Sequence, residues 1–215
     1  MTDSIEYAAD SSSYDTKQVS AAGLPDSDKA VVLRELFNSI RYGIKSQVVL
    51  LLQAYPDLAN LTDTQGFSSI HWAAKKGDRE LLQILFDSGA SLDQPTASDS
   101  KMMPMHWAAS DGKVSSLAFL LEKRQDINAQ DANGCTPVVV AAQHDQLDCV
   151  IFLIKNGADT TLRDTNGDTA LHWGAYKGYT GMVGLLSYLL PQDLDCEDTF
   201  GQVTKSLNFD CYRAQ

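Results

Sequence analysis

Apolar residues recur along this chain in a fixed order. The triplets Trp72-Ala73-Ala74, Trp107-Ala108-Ala109, Val140-Ala141-Ala142 and Trp173-Gly174-Ala175 lie 35, 33 and 33 residues apart. Each follows an apolar residue and a His, except the third, where Val139 takes the His place. About five residues on stands a Gly or a His: Gly77, Gly112, His144 and Gly178. A second apolar run then carries Leu, Ile and Val at helical spacing, at Leu81 to Leu85, Leu117 to Leu121, Val150 to Ile154 and Val183 to Leu186. Asp63-Thr64-Gln65-Gly66, Asp131-Ala132-Asn133-Gly134, Asp164-Thr165-Asn166-Gly167 and Asp198-Thr199-Phe200-Gly201 supply turns between units. In such turns Asp bonds its own backbone and Gly takes a positive φ. Thr136 reads as a helix N-cap with Pro137 at the first helical position, and Gly89-Ala90 and Gly157-Ala158 stop the second helices. Each unit is thus a turn, a short helix, a stop and a second helix. Two short helices cannot bury both faces alone, so the units must stack into an all-α solenoid.

The pattern Gly-x-Thr-Pro-Leu-His-x-Ala-Ala resembles the ankyrin repeat, as in Gly167-Asp168-Thr169-Ala170-Leu171-His172-Trp173-Gly174-Ala175. The resemblance implies an ankyrin solenoid of stacked helix-turn-helix units with hairpin fingers over residues 30–201. A degenerate leader covers about 30–65, and four good repeats cover about 66–99, 100–133, 134–166 and 167–200. The turn Gly is missing from the third unit, whose entry is longer, so residues 97–101 predict an extended finger with Pro104 still starting the helix. Pro191 stops the last helix at or before Leu190. A sixth unit opens at Gly201-Gln202 and loses the motif at Val203-Thr204-Lys205-Ser206. Residues 202–215 read as a degenerate tail and a poor cap, as in a truncated or alternatively ended version of a longer chain. Residues 1–29, with six acids against two lysines and Gly23-Leu24-Pro25 breaking any helical period, read as a disordered acidic tail.

Charge narrows the function. The 215 residues carry a net charge of -11, which disfavours binding to nucleic acid or an anionic membrane. Seven of those charges lie in 1–29 and 191–215, four and three respectively, so only a weak preference for a basic or neutral ligand follows. No apolar run approaches the roughly 18 residues that a membrane span needs, and Met1 to Asp10 do not form a secretory signal. Cys135, Cys149, Cys196 and Cys211 form no C-x-x-C pair, which fits a reducing, cytoplasmic setting without a zinc site.

Candidate chemistry is sparse. His71, His106 and His172 recur at repeat spacing, so stacking spreads them along a line at about 10 Å intervals rather than converging them on a metal or a catalytic centre. The ankyrin resemblance gives them a structural role, bonding backbone near the hairpin. Asp93, Asp126, Asp159 and Asp195 are likewise kept apart at hairpin tips, and no phosphate loop, paired-carboxylate site or protease motif is present. No cofactor is expected. Met102, Met103 and Met105 can fill gaps or adapt to a partner. The resemblance implies that the slot after the His points into the concave groove. Trp72, Trp107 and Trp173 then put one column of amphipathic surface there, serving either as packing over neighbouring hairpins or as binding anchors. Asn128 resembles the hairpin Asn that asparagine hydroxylases modify in ankyrin proteins.

Two stretches are similar to the ankyrin domains of DHHC-type protein S-acyltransferases, or palmitoyltransferases. They are Asp93-Gln94-Pro95 with Met103-Pro104-Met105-His106-Trp107-Ala108-Ala109, and Thr169 to Gly178. In that family the ankyrin block precedes membrane spans and a catalytic domain, and recruits substrates by an extended peptide ending in Gln-Pro. A groove Trp stacks on the Pro, and a polar residue one repeat earlier bonds the peptide. Trp107 matches that Trp, and Lys76 stands where an Asn is expected. The resemblance implies a non-catalytic module that binds a protein or extended peptide through Trp107, Trp72 and Trp173, with Lys76 and Tyr176 as polar neighbours. It lacks Asp-His-His-Cys and cannot itself transfer an acyl group by that chemistry. A free-standing adaptor is the alternative, and a packing-only role for the tryptophans is the third.

Overall fold

A computed structural model describes residues 25–191. Its ten α-helices form five antiparallel pairs. These are α1 (Asp26–Tyr42) with α2 (Lys45–Ala54), α3 (Ser69–Lys76) with α4 (Arg79–Asp87), and α5 (Pro104–Ser110) with α6 (Val114–Glu122). They continue with α7 (Pro137–Gln143) and α8 (Leu147–Lys155), and α9 (Ala170–Lys177) and α10 (Thr180–Leu189). The first helices of the pairs pack on one another in chain order, and α4, α6 and α8 form an outer row. No helix among the described residues is long and apolar enough to cross a membrane.

The Ala pairs explain the tight inner row. Ala73, Ala74, Ala108, Ala109, Ala141 and Ala142 are fully buried, and their small side chains let neighbouring backbones approach. Gly174 takes one such place because a methyl group there would meet Met182 Cγ at 3.1 Å. Leu81, Leu82, Leu85, Leu117, Phe119, Leu120, Val150 and Leu153 fill the space between rows. Each such side chain is worth about 1.5–3 kcal/mol on burial, so the second apolar run adds substantially to the adhesion.

The fingers repeat one hydrogen-bond pattern. Asp63 N–H bonds Phe67 O at 2.9 Å, Asp131 N–H bonds Cys135 O at 3.0 Å, and Asp164 N–H bonds Asp168 O at 3.0 Å. Neighbouring fingers are tied by Ala97 N–H to Gly66 O, Ala132 N–H to Ser100 O and Thr165 N–H to Asn133 O. The approach is closest at Gly66, where a Cβ would lie 2.6 Å from that of Ala97. The third finger is longer, as expected, closing from Thr96 N–H to Met102 O. Ser98 and Lys101 stand in it where Asp63 and Gly66 stand in the second, with Lys101 taking the left-handed conformation at φ 47°.

Three expectations change. The acidic tail was set to run to residue 29, but α1 begins at Asp26: Pro25 starts a helix rather than breaking one, and the helix is held by buried Leu36, Phe37 and Ile40. The left-handed stop after α7 is Asp145, with φ 56°, not His144, which remains at φ −111°. Thr136 does cap α7 in position, but its buried hydroxyl has no hydrogen-bond partner, because Val139 offers none. Helix α10 ends at Leu189, one residue before Leu190 and two before Pro191, as expected. The expectations for residues 1–24 and for 192–215, including Asp195, Cys196, Cys211 and the tail, lie outside the described residues.

Candidate functional site

The side of the stack between fingers and inner helices carries two concavities. One of about 560 Å³ lies between α1 and the finger at Asp63, Thr64 and Gln65. Another of about 320 Å³ lies between the third to fifth fingers and helices α7 and α9, with Val140, Gln143 and Trp173 in its wall.

A rule of nine residues organises this face. Asp63 Oδ1 accepts from Gln65 N–H and Phe67 N–H, which shapes the turn, while Oδ2 accepts from Trp72 Nε1 at 2.9 Å. Asp164 repeats the arrangement: Oδ1 accepts from Asn166 and Asp168 N–H, and Oδ2 from Trp173 Nε1 at 2.8 Å. The same separation links Asp131 to Val140 and Ser98 to Trp107. Trp72 and Trp173 are therefore held by their own fingers. The Trp107 N–H has no hydrogen-bond partner among the described residues.

Trp107 instead sits in an aromatic cluster. Its ring centroid lies 4.5 Å from Phe67 and 5.7 Å from both His71 and Trp72, all edge-on. Cations border the cluster on both sides. The Arg41 guanidinium lies 4.1 Å over the Trp72 ring, and Lys75 Nζ lies 5.2 Å over that of Trp107. Such contacts contribute about 0.5–1 kcal/mol at exposed sites. Lys75 also lies 3.7 Å from Asp111. The three indoles are half-buried, so each keeps a free part of its face.

Lys76 and Tyr176 were expected to flank this column as polar groups. Lys76 Nζ instead donates to Arg41 O at 2.8 Å, tying the C-terminus of α1 to α3. The lysine beside Trp107 is its neighbour Lys75. Tyr176 is 71% exposed and meets Trp173 edge-on at 6.1 Å, so it does extend the surface at the far end. Val140 stands between Trp107 and Trp173 in the column, so Trp173 is set apart from the Phe67–Trp72–Trp107 cluster. Sequence reasoning missed Phe67, Arg41 and Lys75. The nine-residue Asp-to-Trp spacing was readable in it.

The histidines hold the stack together. His71 Nδ1 accepts from Ser68 N–H, and its Nε2 meets Met102 O at 3.1 Å in the next finger. His106 Nδ1 accepts from Met103 N–H, and its Nε2 meets Cys135 O at 2.9 Å. Burial lowers the pKa of His71 to about 4 and also lowers that of His106. Both rings are therefore neutral donors at pH 7, bonded to backbone as the ankyrin resemblance implied. Burial first, then the nearby Asp131 carboxylate, pushes the Cys135 thiol up to about 12. Burial, with Asp148 adding to it, pushes Cys149 to about 11. Neither is a thiolate nucleophile at neutral pH. No group of three metal-ligating side chains occurs among the described residues. The acids at Asp93, Asp126 and Asp159 accept local turn hydrogen bonds, and Asn128 Oδ1 accepts from Asp159 N–H, linking adjacent units.

The family model described as "Ankyrin repeats (3 copies)" matches residues 36–131 and 105–199. The chain belongs to the ankyrin-repeat family. Among curated proteins, the human transient receptor potential cation channel subfamily A member 1 is 31% identical over 73% of this chain and 14% of its own length. The target of rapamycin complex 2 subunit AVO2 of Saccharomyces cerevisiae is 33% identical over 57% of this chain and 29% of its own. Palmitoyltransferase Hip14 of Drosophila melanogaster is 29% identical over 80% of this chain and 32% of its own. The chain thus spans less than a third of the length of each of these relatives. An ankyrin stack of this kind is a protein-interaction module.

Proposed function

We propose that this ankyrin stack, over residues 30–201, is a non-catalytic recognition module that holds an extended peptide of a cytoplasmic partner protein in the groove between fingers and inner helices. The observation that carries this reading is Trp107: a half-buried indole in an aromatic cluster whose N–H has no acceptor among the described residues. Trp is enriched where interfaces concentrate their energy, and an open N–H on a rigid ring offers a carbonyl a ready donor. Trp72 flanks Trp107 directly, while Trp173 and Tyr176 continue the surface at the far end. Similarity to palmitoyltransferases supports a finer version, in which the module recruits the proteins to be acylated by a catalytic domain elsewhere. A Gln-Pro segment is then the ligand, with its Pro ring against Trp107. Lys76 is engaged with Arg41, so Lys75 is the better placed polar neighbour.

The test is a titration of a fluorescent 12-residue peptide with a central Gln-Pro against the protein and its Trp107→Ala variant. A loss of at least tenfold is expected, with a parallel thermal melt reporting that the variant is folded. Equal affinities overturn the groove assignment. A second reading, a free-standing adaptor or regulator unrelated to acyl transfer, is favoured by the higher identity to a cation channel and to a target of rapamycin complex 2 subunit. The mass of the native protein separates the two: a chain near 23.5 kDa supports the adaptor, and a much larger one the recruiting arm.

A further inference from the structure

Two adjacent units of the stack break the Asp-to-Trp pairing in complementary ways. Trp107 has Ser98 nine residues before it instead of an Asp, and Ser98 Oγ is engaged with Thr96 and Ser100. The indole therefore keeps an unused donor. In the next unit Asp131 is present but Val140 replaces the Trp. Asp131 Oδ1 still accepts from Asn133 N–H at 2.8 Å and Cys135 N–H at 2.9 Å, as its counterparts do. Asp131 Oδ2 has no hydrogen-bond or ion-pair partner among the described residues. Its counterparts Asp63 and Asp164 each spend that oxygen on an indole.

Asp131 lines the concavity of about 320 Å³, whose wall also includes Cys135, Val140, Asp164 and Trp173. The carboxylates in that wall are those of Asp131 and Asp164. Asp131, Asp164 and Asp168 all act on the Cys135 thiol in the direction that keeps it protonated. A site with low-dielectric walls and clustered carboxylates concentrates negative potential and draws in a cation. Buried Val140 supplies an apolar floor for a methylene stem.

We infer that Asp131 is a specificity residue of the groove, receiving an Arg or Lys side chain of the bound peptide while Trp107 donates its indole N–H to the peptide backbone. The inference rests on the groove reading of Trp107 and adds to it the chemistry of the partner. Helices packed at their usual separation lie about 8–10 Å apart, so the two contacts fall on peptide residues about two or three positions apart along an extended chain. Arg is favoured over Lys, since its fork can address a carboxylate with two parallel N–H groups. The paired units on either side have no such opening, which sets the register of the ligand.

The experiment uses the whole chain and a library of displayed random 12-residue peptides, selected in parallel on the wild type and on Asp131→Asn, Val140→Trp and Trp107→Ala. Asp131→Asn keeps the Oδ1 acceptor that shapes the finger. Val140→Trp reproduces the neighbouring units and closes Oδ2 with an indole. Wild type is expected to enrich Arg or Lys at one fixed position, and both Asp131→Asn and Val140→Trp to lose that enrichment while still selecting peptides. The winning peptide, made with Arg and with neutral isosteric citrulline, then binds wild type with about a tenfold difference that raised salt reduces and Asp131→Asn abolishes. Peptides that depend on Trp107 but show no basic preference overturn the assignment of Asp131 and leave the groove reading standing. If Trp107→Ala selects the same peptides as wild type, the groove reading falls and this inference with it.

Discussion

The units built on α3 and α9 differ from those built on α5 and α7 in how they use their polar groups. In the first two, a hydroxyl at the N-cap meets the His, and the finger Asp meets the Trp: Ser68 with His71 and Asp63 with Trp72, Thr169 with His172 and Asp164 with Trp173. In the other two the partners are partly missing. Met103 replaces the capping hydroxyl and Ser98 the Asp before Trp107. Val139 leaves the Thr136 hydroxyl buried without a partner, and Val140 leaves Asp131 half-used. The fold tolerates these gaps because the apolar rows and the finger-to-finger backbone bonds continue through them. A repeat protein can thus leave polar groups of its middle units unpaired while the apolar rows keep the stack in register.

The sharpest test of that division is His106→Ala. It leaves the buried Met103 N–H and Cys135 O without their ring partner and opens a cavity, so a loss of about 2–4 kcal/mol is expected in urea unfolding. A cost below 1 kcal/mol, given the wild-type tolerance of Val139, breaks the claim that the rings bind unit to unit.

Acid should act on the same contacts. Burial lowers the pKa of His71 in the fold to about 4, from the ordinary imidazole value of 6.5. Its pKa is depressed, so the stability it contributes as a neutral ring is complete above pH 6.5 and is lost as pH falls towards 4. The full loss is about 3 kcal/mol. Urea melts at pH 7 and pH 4.5 should show a smaller acid loss for His71→Gln than for wild type, and an unchanged loss breaks the argument.

A third test compares the indoles. Trp173→Phe removes a bonded N–H and strands Asp164 Oδ2, while Trp107→Phe removes an N–H with no internal partner. The cost at 173 should exceed that at 107 by about 1 kcal/mol, and equal costs would dissolve the distinction between closed and open units. The smallest effect is a gain. Val139→His puts a ring beside the Thr136 hydroxyl and towards Asp168 O, and should stabilise by about 0.5–1 kcal/mol, read as a rise of a few degrees in Tm.

Much of the architecture was legible because it depends on local pattern. Pro104 and Pro137 start helices and Gly77 and Gly178 end them, by conformational preferences that act within one turn. The start of α1 was misread because Pro25 marks a break and a beginning equally well, and only the burial of Leu36, Phe37 and Ile40 distinguishes them. His144 stands four residues after Val140, whereas Gly77, Gly112 and Gly178 stand five after their Trp, so the backbone count selects Asp145 for the left-handed position. The exposure of Tyr176 follows from helical period alone. Lys76 and Lys75 are adjacent and chemically identical, and nothing local separates them.

By itself, then, the sequence determined the repeat, its helix pairs, the buried Ala and Leu rows and the Trp column, since a period near 33 and helical spacing within it are properties of one strip of chain. Only the tertiary structure decided which polar groups are engaged. Lys76 meets Arg41, His71 meets Met102, and Lys75 meets Trp107 across 31 to 35 residues of sequence. Those partners come from neighbouring units, and a hydrogen bond or ring contact exists only where stacking brings two units within a few ångströms. That the Trp107 N–H and one oxygen of Asp131 have no partner among the described residues is likewise visible only once the neighbouring units are stacked against them.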